Sequence, residues 1–309
     1  MAIPIVIVSG PTASGKTELS LALAKALDAE ILYADSMTIY KGMDVGTAKP
    51  SLEERKLIPH HLIDICDPWE SYSAGDFVEA AHEIIMQIQE RGKRILLTGG
   101  TTLYIKSLLE GIFIGPPANW EIRNQLLTRD PLSLYQELYQ CDPESAAKVA
   151  PNDSRRVIRS LEVYLSTGIP ITQLRKQGTK PLGDYQPFFL GVDWERPILY
   201  QRIEQRVDSM LAKGLVEETR QLLQLPYPLS HTASQAIGYK ETIEALLEPE
   251  KMPGLGDKIK LNTRHFAKHQ VTWLRRFPIE WIPGTLDKNE MLQICLEKAG
   301  NFYKERRKE

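Results

Sequence analysis

The sequence predicts an α/β fold, a parallel sheet wound on both faces by helices and interrupted by an inserted all-helical domain. Three observations predict it. Short β-branched runs alternate with amphipathic helical stretches over the first hundred residues, a glycine-rich turn joins the first strand to the first helix, and the segment from 120 to 168 holds no convincing strand.

The first run, "IPIVIV", is continuous and apolar, as a parallel strand covered on both faces requires. "TELSLALAKAL" then places Leu19, Leu23, Ala26 and Leu27 on one helical face. "AEILYAD" is expected as a second strand and "HHLIDIC", residues 60–66, as a short third. "SAGDFVEAAHEIIMQIQERGK" is an amphipathic helix with Gly92 as its stop. "RILLTGG" makes a fourth strand, and "TTLYIKSLLEG" begins the next helix. In such a sheet the working edge lies at the C-terminal ends of the strands.

Beyond "GIFIGPPANW" the pattern becomes helical, with breaks at Asp130-Pro131, Asp142-Pro143 and Pro151-Asn152. The loop "RKQGTKPLGDYQP" closes this stretch and "FFLGVDW" returns to a buried strand. The expected organisation is a catalytic core of residues 1–115 and 186–309 with an inserted helical domain of residues 116–185. A set of lid helices in one larger domain is the alternative. Helices follow in "RPILYQRIEQRVDSMLAKGLVEETRQLLQL", with a break at Gly214, in "SQAIGYKETIEALL" and in "GLGDKIKLNTRHFAKHQVTWLRRF", before an extended "PIEWIPG". The terminal "FYKERRKE" is expected as a solvated, charged tail.

Composition sets limits on function. Thirty-eight Lys and Arg against 40 Asp and Glu leave a net charge of -2, so any nucleic-acid site must be a local patch. Cys66, Cys141 and Cys295 are far apart in sequence and without metal-ligand spacing, which suits reduced thiols in a cytoplasmic protein. No apolar stretch reaches the roughly 20 residues that span a bilayer, so no membrane partner is expected.

"GPTASGKT" comprises Gly10, Pro11, Thr12, Ala13, Ser14, Gly15, Lys16 and Thr17, and satisfies the G-x-x-x-x-G-K-[ST] phosphate loop in its strand-to-helix context. The core is therefore expected to be P-loop NTPase-like. Backbone N–H groups and the helix N-terminus would cradle anionic oxygens, Lys16 would reach the terminal phosphate and Thr17 would offer its hydroxyl to Mg²⁺. Charge and oxygen geometry are what such a loop recognises, so a diphosphate ester fits as well as a nucleotide. A guanine-specifying N-K-x-D motif is missing, and "RILLTGG" lacks the acid that ends a Walker B strand.

Asp35 ends the second strand at the same edge, as a loop carboxylate or as a general base for a nucleophile attacking near the phosphates. Thr101 and Thr102, beyond the fourth strand, either cap a helix or bond a diphosphate oxygen. "NDSRRVIRSLEVY" carries Arg155, Arg156 and Arg159 around a helix start, a solvated face or a phosphate-backbone contact, with Val157, Leu161 and Tyr164 facing inward. Residues 255–277 interleave Lys258, Lys260, Arg264, Lys268, Arg275 and Arg276 with His269, Gln270 and Trp273, a strip able to face RNA, although Trp273 alone also suits a core. Arg220 has Glu217 and Glu218 within pairing distance on its own helix.

Taken together, "GPTASGKT", "ADSMTIYKGMDVGTAKP", "HHLID", "GGTTLY", "RRVIRSLEVY", "GLVEET", "AIGYKE" and "RHFAKHQVTWLRR" resemble the tRNA dimethylallyltransferases, from residue 10 to about residue 276. The resemblance implies transfer of a dimethylallyl group from dimethylallyl diphosphate to N6 of adenosine 37, a monomeric enzyme with Mg²⁺, and an inserted domain that clasps the tRNA anticodon stem-loop. It implies Asp35 as the base, with Thr101 and Lys16 on the diphosphate and Arg220 on the leaving group. Residues Asp35, Ser36, Met37 and Thr38, the run Arg155, Arg156, Val157, Ile158 and Arg159, and Arg264, Lys268, Gln270 and Trp273 correspond to tRNA-contacting stretches. "RRVIR" departs from the Gln-Arg-Leu start of many relatives, which leaves a base contact by Arg155 open. With no zinc finger after residue 276, the chain looks like the short bacterial form. A phosphoryl-transferring small-molecule kinase, an adenylate isopentenyltransferase and a non-catalytic RNA-binding protein are the alternatives.

Overall fold

The computed structural model describes residues 2–113, 115–176 and 180–305. Six strands form one parallel sheet: β1 (Ile3–Ser9), β2 (Ala29–Tyr33), β3 (His60–His61), β4 (Arg94–Gly99), β5 (Tyr185–Asp193) and β6 (Ile279–Pro283), in the order β3-β2-β4-β1-β5-β6. All five residues of β2 and nearly all of β1 are buried, because helices cover both faces. This order puts β4 between β1 and β2, with Val8 and Tyr33 both in register with Thr98. The loops after β1, β2 and β4 therefore emerge side by side on one edge.

The chain divides into two compact units, Met1–Leu109 with Leu182–Glu309, and Glu110–Pro181. The second unit is helical among its described residues. Its helix starts explain the breaks legible in the sequence: Asp130, Asp142 and Asp153 each accept a backbone N–H three residues on, from Ser133, Ser145 and Arg156, and proline follows the first two caps. Leu126, Leu134, Leu138, Ala146, Val157, Ile158 and Leu161 form its core. Ile114 and residues 177–179 lie outside the described residues.

Three expectations change. The third strand pairs over two residues only, since Leu62 (φ 64°) and Asp64 (φ 55°) turn out of extended geometry, and Cys66 returns as an isolated bridge to Tyr40. Gly238 (φ 96°) divides the expected helix of residues 234–247, and Tyr239–Leu247 starts afresh behind it.

The third correction concerns the C-terminus. As far as residue 305 it is no solvated tail, because helix Lys288–Glu305 sets Cys295, Ala299 and Tyr303 on one buried stripe. The Tyr303 hydroxyl donates to the Ile95 carbonyl at 2.6 Å, and Phe302 stacks on Phe188. The charge of "KERRKE" masked this stripe; residues 306–309 lie outside the described region. Tyr303→Ala is expected to destabilise the protein by roughly 3–5 kcal/mol, as loss of a buried aromatic does, read as a lower midpoint in urea at unchanged slope.

Candidate active site

β1 ends at Ser9 and the phosphate loop wraps from residue 10 into helix Lys16–Leu27, with Ala13 (φ 63°) and Gly15 (φ 94°) in left-handed geometry. Two side chains hold successive carbonyls of the loop: the Trp194 indole N–H donates to the Ser14 carbonyl and Arg202 Nε to the Ala13 carbonyl, both at 2.8 Å. Arg202 also stacks on Trp194, 4.3 Å from the ring centre. A trans peptide sets its N–H opposite its C=O, so engaging the Ser14 carbonyl turns the Gly15 N–H the other way. The Ser14 hydroxyl is buried without a hydrogen-bond partner, an orphan that an anionic oxygen would satisfy.

Lys16 donates to the Pro11 carbonyl at 3.3 Å. Burial, and then the neighbouring Arg206 guanidinium, bring its pKa down to about 8, with Asp35 working in the opposite direction. Arg206, on helix Arg196–Ala212, has its own pKa lowered by burial and raised by Asp35, and its Nη2 donates to the Thr47 carbonyl at 3.3 Å. Two crowded cations against one carboxylate leave positive charge for a polyanion to neutralise.

That crowding has a sign. Protonated Lys16 lowers stability at neutral pH, and the cost fades as pH rises from about 8 toward 10.5, where the folded state holds fewer protons than the unfolded. Affinity for inorganic pyrophosphate is expected to fall as pH rises through about 8. Calorimetric titration across that range should show the inflection, and Lys16→Arg, whose guanidinium stays charged, should lack it.

The loop after β2 carries Asp35. Its Oδ1 accepts the Met37 N–H at 2.9 Å, and the Thr38 hydroxyl donates to its carbonyl at 3.4 Å. Thr101, beyond β4, donates its N–H to the Ala34 carbonyl at 3.1 Å and accepts the Ser36 N–H on its hydroxyl at 3.0 Å. This closeness depends on Gly99, where a Cβ would lie 2.1 Å from the Ala34 oxygen. Lys16, Asp35 and Arg206 thus act on one another's charge, and Thr101 holds the backbone on either side of Asp35.

Against this geometry, the family profile described as IPP transferase matches residues 38–277. The chain belongs to the IPP transferase family. It is similar to the tRNA dimethylallyltransferase of Geobacter metallireducens, 46% identical over 92% of this chain and 94% of that one. Among solved structures it resembles the full-length tRNA isopentenylpyrophosphate transferase of Bacillus halodurans (TM-score 0.74, 36% identity, 99% of this chain and 98% of that chain). It also resembles a eukaryotic dimethylallyltransferase acting on tRNA (TM-score 0.77, 30% identity, 92% of this chain and 74% of that chain).

Not every residue expected at the site of this IPP transferase is brought there. Arg220 is exposed and ion-paired with Glu217 on its own helix, and Arg206 is an arginine whose charge reaches Lys16 and Asp35. The signal for Arg206 was legible: Arg202 and Arg206 lie one turn apart beside the buried stripe Leu199, Ile203 and Val207. Val157 (1% exposed) and Ile158 (6%) belong to the helical unit's core and present no surface to RNA. Arg159 is bound to Glu162 and to the Pro116 carbonyl, and Arg156 to Asp153, while Arg155 is exposed.

On helix Leu255–Leu274, Arg264 pairs with Glu204 and Lys268 is exposed. Trp273 is no core residue; it is 43% exposed, with Arg276 4.1 Å from its ring centre, and Leu274 takes the buried place. Gln270 is buried, with its amide engaged inside the protein. Among the described residues no group of three or more His, Cys, Asp and Glu could hold a metal ion, and no helix is long and apolar enough to cross a membrane.

Proposed function

We infer that this chain transfers a dimethylallyl group from dimethylallyl diphosphate to the exocyclic N6 of adenosine 37 in the anticodon stem-loop of tRNA, releasing diphosphate. The observation that carries it is that the Asp35 carboxylate acts electrostatically on the Lys16 and Arg206 cations beside a glycine loop with an orphaned buried hydroxyl. A kinase would also use the loop and a carboxylate base, but it gives no account of the exposed Lys268 and Trp273–Arg276 pair.

Adenine N6 is a weak nucleophile because its lone pair is delocalised into the ring. As the allylic C–O bond breaks and the new C–N bond forms, Asp35 accepts the N6 proton and the C–O electron pair leaves on the diphosphate. Growing charge on that diphosphate is met by Lys16, Arg206, the loop N–H groups and the Ser14 hydroxyl. Thr101 holds the Ser36 backbone, which keeps the Asp35 turn in place. The donor set suits Mg²⁺ only in company with the diphosphate: the Thr17 hydroxyl would be the protein's ligand, and phosphate oxygens and water would supply the others. Bound there, the ion would neutralise charge on the leaving group.

RNA affinity is assigned to Arg155, Arg156, Lys268 and the Trp273–Arg276 pair, with the target base swung out of its loop at a cost of a few kcal/mol. The protein is taken to act as a monomer in the cytoplasm. Incubation with labelled dimethylallyl diphosphate, Mg²⁺ and unmodified stem-loops with or without the target adenosine tests donor, acceptor and chemistry together. Label is expected only on the adenosine-containing RNA; transfer of the ATP γ-phosphate to a small acceptor instead would replace this function with a kinase.

A further inference from the structure

We propose that Gln270 is a positioning residue for the diphosphate site, a clamp that holds the phosphate loop and the Asp35–Thr101 edge at a set separation before any ligand arrives. The proposal rests on the function inferred above for that site.

Helix Leu255–Leu274 buries Ile259, Thr263, Ala267, Gln270 and Leu274 along one stripe, and at 6% exposure Gln270 is an amide standing among largely apolar positions. A buried primary amide is costly unless both ends are bonded. Both are: Oε1 accepts the Thr12 N–H at 2.8 Å and Nε2 donates to the Gly100 carbonyl at 3.1 Å. Thr12 lies in the loop after β1 and Gly100 in the loop after β4, so one side chain ties the ends of two adjacent strands.

The fit is close. A Cβ on Gly100 would lie 2.4 Å from Nε2, so the second hydrogen bond exists because that position is glycine. From Gly100 the connection continues at once to Thr101, whose N–H and hydroxyl hold Ala34 and Ser36 on either side of Asp35. Gln270 thereby joins the anion loop to the carboxylate edge through the Gly100–Thr101 backbone and the Thr101 hydroxyl. A cradle ordered in this way meets a diphosphate without first losing loop freedom, which is how preorganised sites gain affinity. An amide with both ends engaged and little exposure is a poor reader of RNA bases.

The test uses the full chain and two titrations that need no transfer reaction: inorganic pyrophosphate by calorimetry, and an anticodon stem-loop RNA by fluorescence anisotropy. Gln270→Met keeps the length of the side chain and removes both hydrogen bonds. It is expected to weaken pyrophosphate binding by about tenfold or more while RNA affinity stays within about twofold. Gln270→Glu retains the acceptor for Thr12 and opposes the Gly100 carbonyl, and should weaken pyrophosphate likewise. Gly100→Ala, which pushes the amide from the other side, should reproduce the signature if the Gln270 variants fail to fold. RNA affinity lost with pyrophosphate binding intact would make Gln270 an RNA contact and overturn the proposal, as would folded variants in which neither titration changes. A chain that binds pyrophosphate through Gln270 yet transfers no dimethylallyl group refutes the proposed function and leaves the clamp standing.

Discussion

Asp35→Asn is expected to lower the rate of dimethylallyl transfer by about 10²–10⁴-fold, the range general-base catalysis contributes. Asparagine is the informative replacement because its Oδ1 can still accept the Met37 N–H that Asp35 accepts at 2.9 Å. The turn carrying Ser36, Met37 and Thr38 therefore survives, and thermal midpoint and RNA affinity should stay near those of the unaltered protein. Asp35→Ala removes the turn contact as well and should add a small loss of stability to the same catalytic defect. Single-turnover prenylation of a stem-loop RNA separates chemistry from product release. A near-normal rate for Asp35→Asn would remove this carboxylate as the proton acceptor.

Arg206→Gln is expected to cost about 10²–10³-fold in kcat/KM for dimethylallyl diphosphate, on the scale of losing one transition-state charge stabiliser. The physical basis is its place beside Lys16 and Asp35, where its charge is already felt by both. Lys16 should titrate higher once this neighbouring cation is gone, because Arg206 helps to lower it. The inflection in pyrophosphate affinity should accordingly move above pH 8, a readout that simple loss of structure would not produce. Arg220→Gln is the companion measurement. A larger loss there than at Arg206 would return the leaving-group role to the arginine that pairs with Glu217.

The site was legible where its residues sit in short, local patterns. A strand, a glycine loop and Lys16 specify their own geometry within fifteen or so residues, and Asp35 and Thr101 each lie two residues beyond a recognisable strand. Arg206 was not singled out and Gln270 was placed on an RNA-facing strip, although each carried a signal. An arginine one turn from another beside an apolar stripe, and a glutamine on a buried helical stripe, are both polar groups that need a partner from elsewhere in the chain. Val157 faces inward as its helical spacing implies, and it was the run carried over from the resemblance that set it and Ile158 among RNA contacts with their charged neighbours, although a helix sends consecutive side chains to different faces. The C-terminal helix was hidden because its apolar residues are four apart and charge lies between them.

By itself the sequence determined the α/β class, the phosphate loop, the strand-end carboxylate and the helical character of residues 120–168, since each depends on hydrophobic period, capping and turn chemistry within a few residues. Tertiary structure alone decided that β4 lies between β1 and β2, that the charge of Arg206 reaches Lys16, and that Gln270 faces inward to bridge two loops. Those outcomes depend on which distant segments share buried surface and satisfy each other's hydrogen bonds. That choice is made by the whole packed core, and no local stretch of chain carries it.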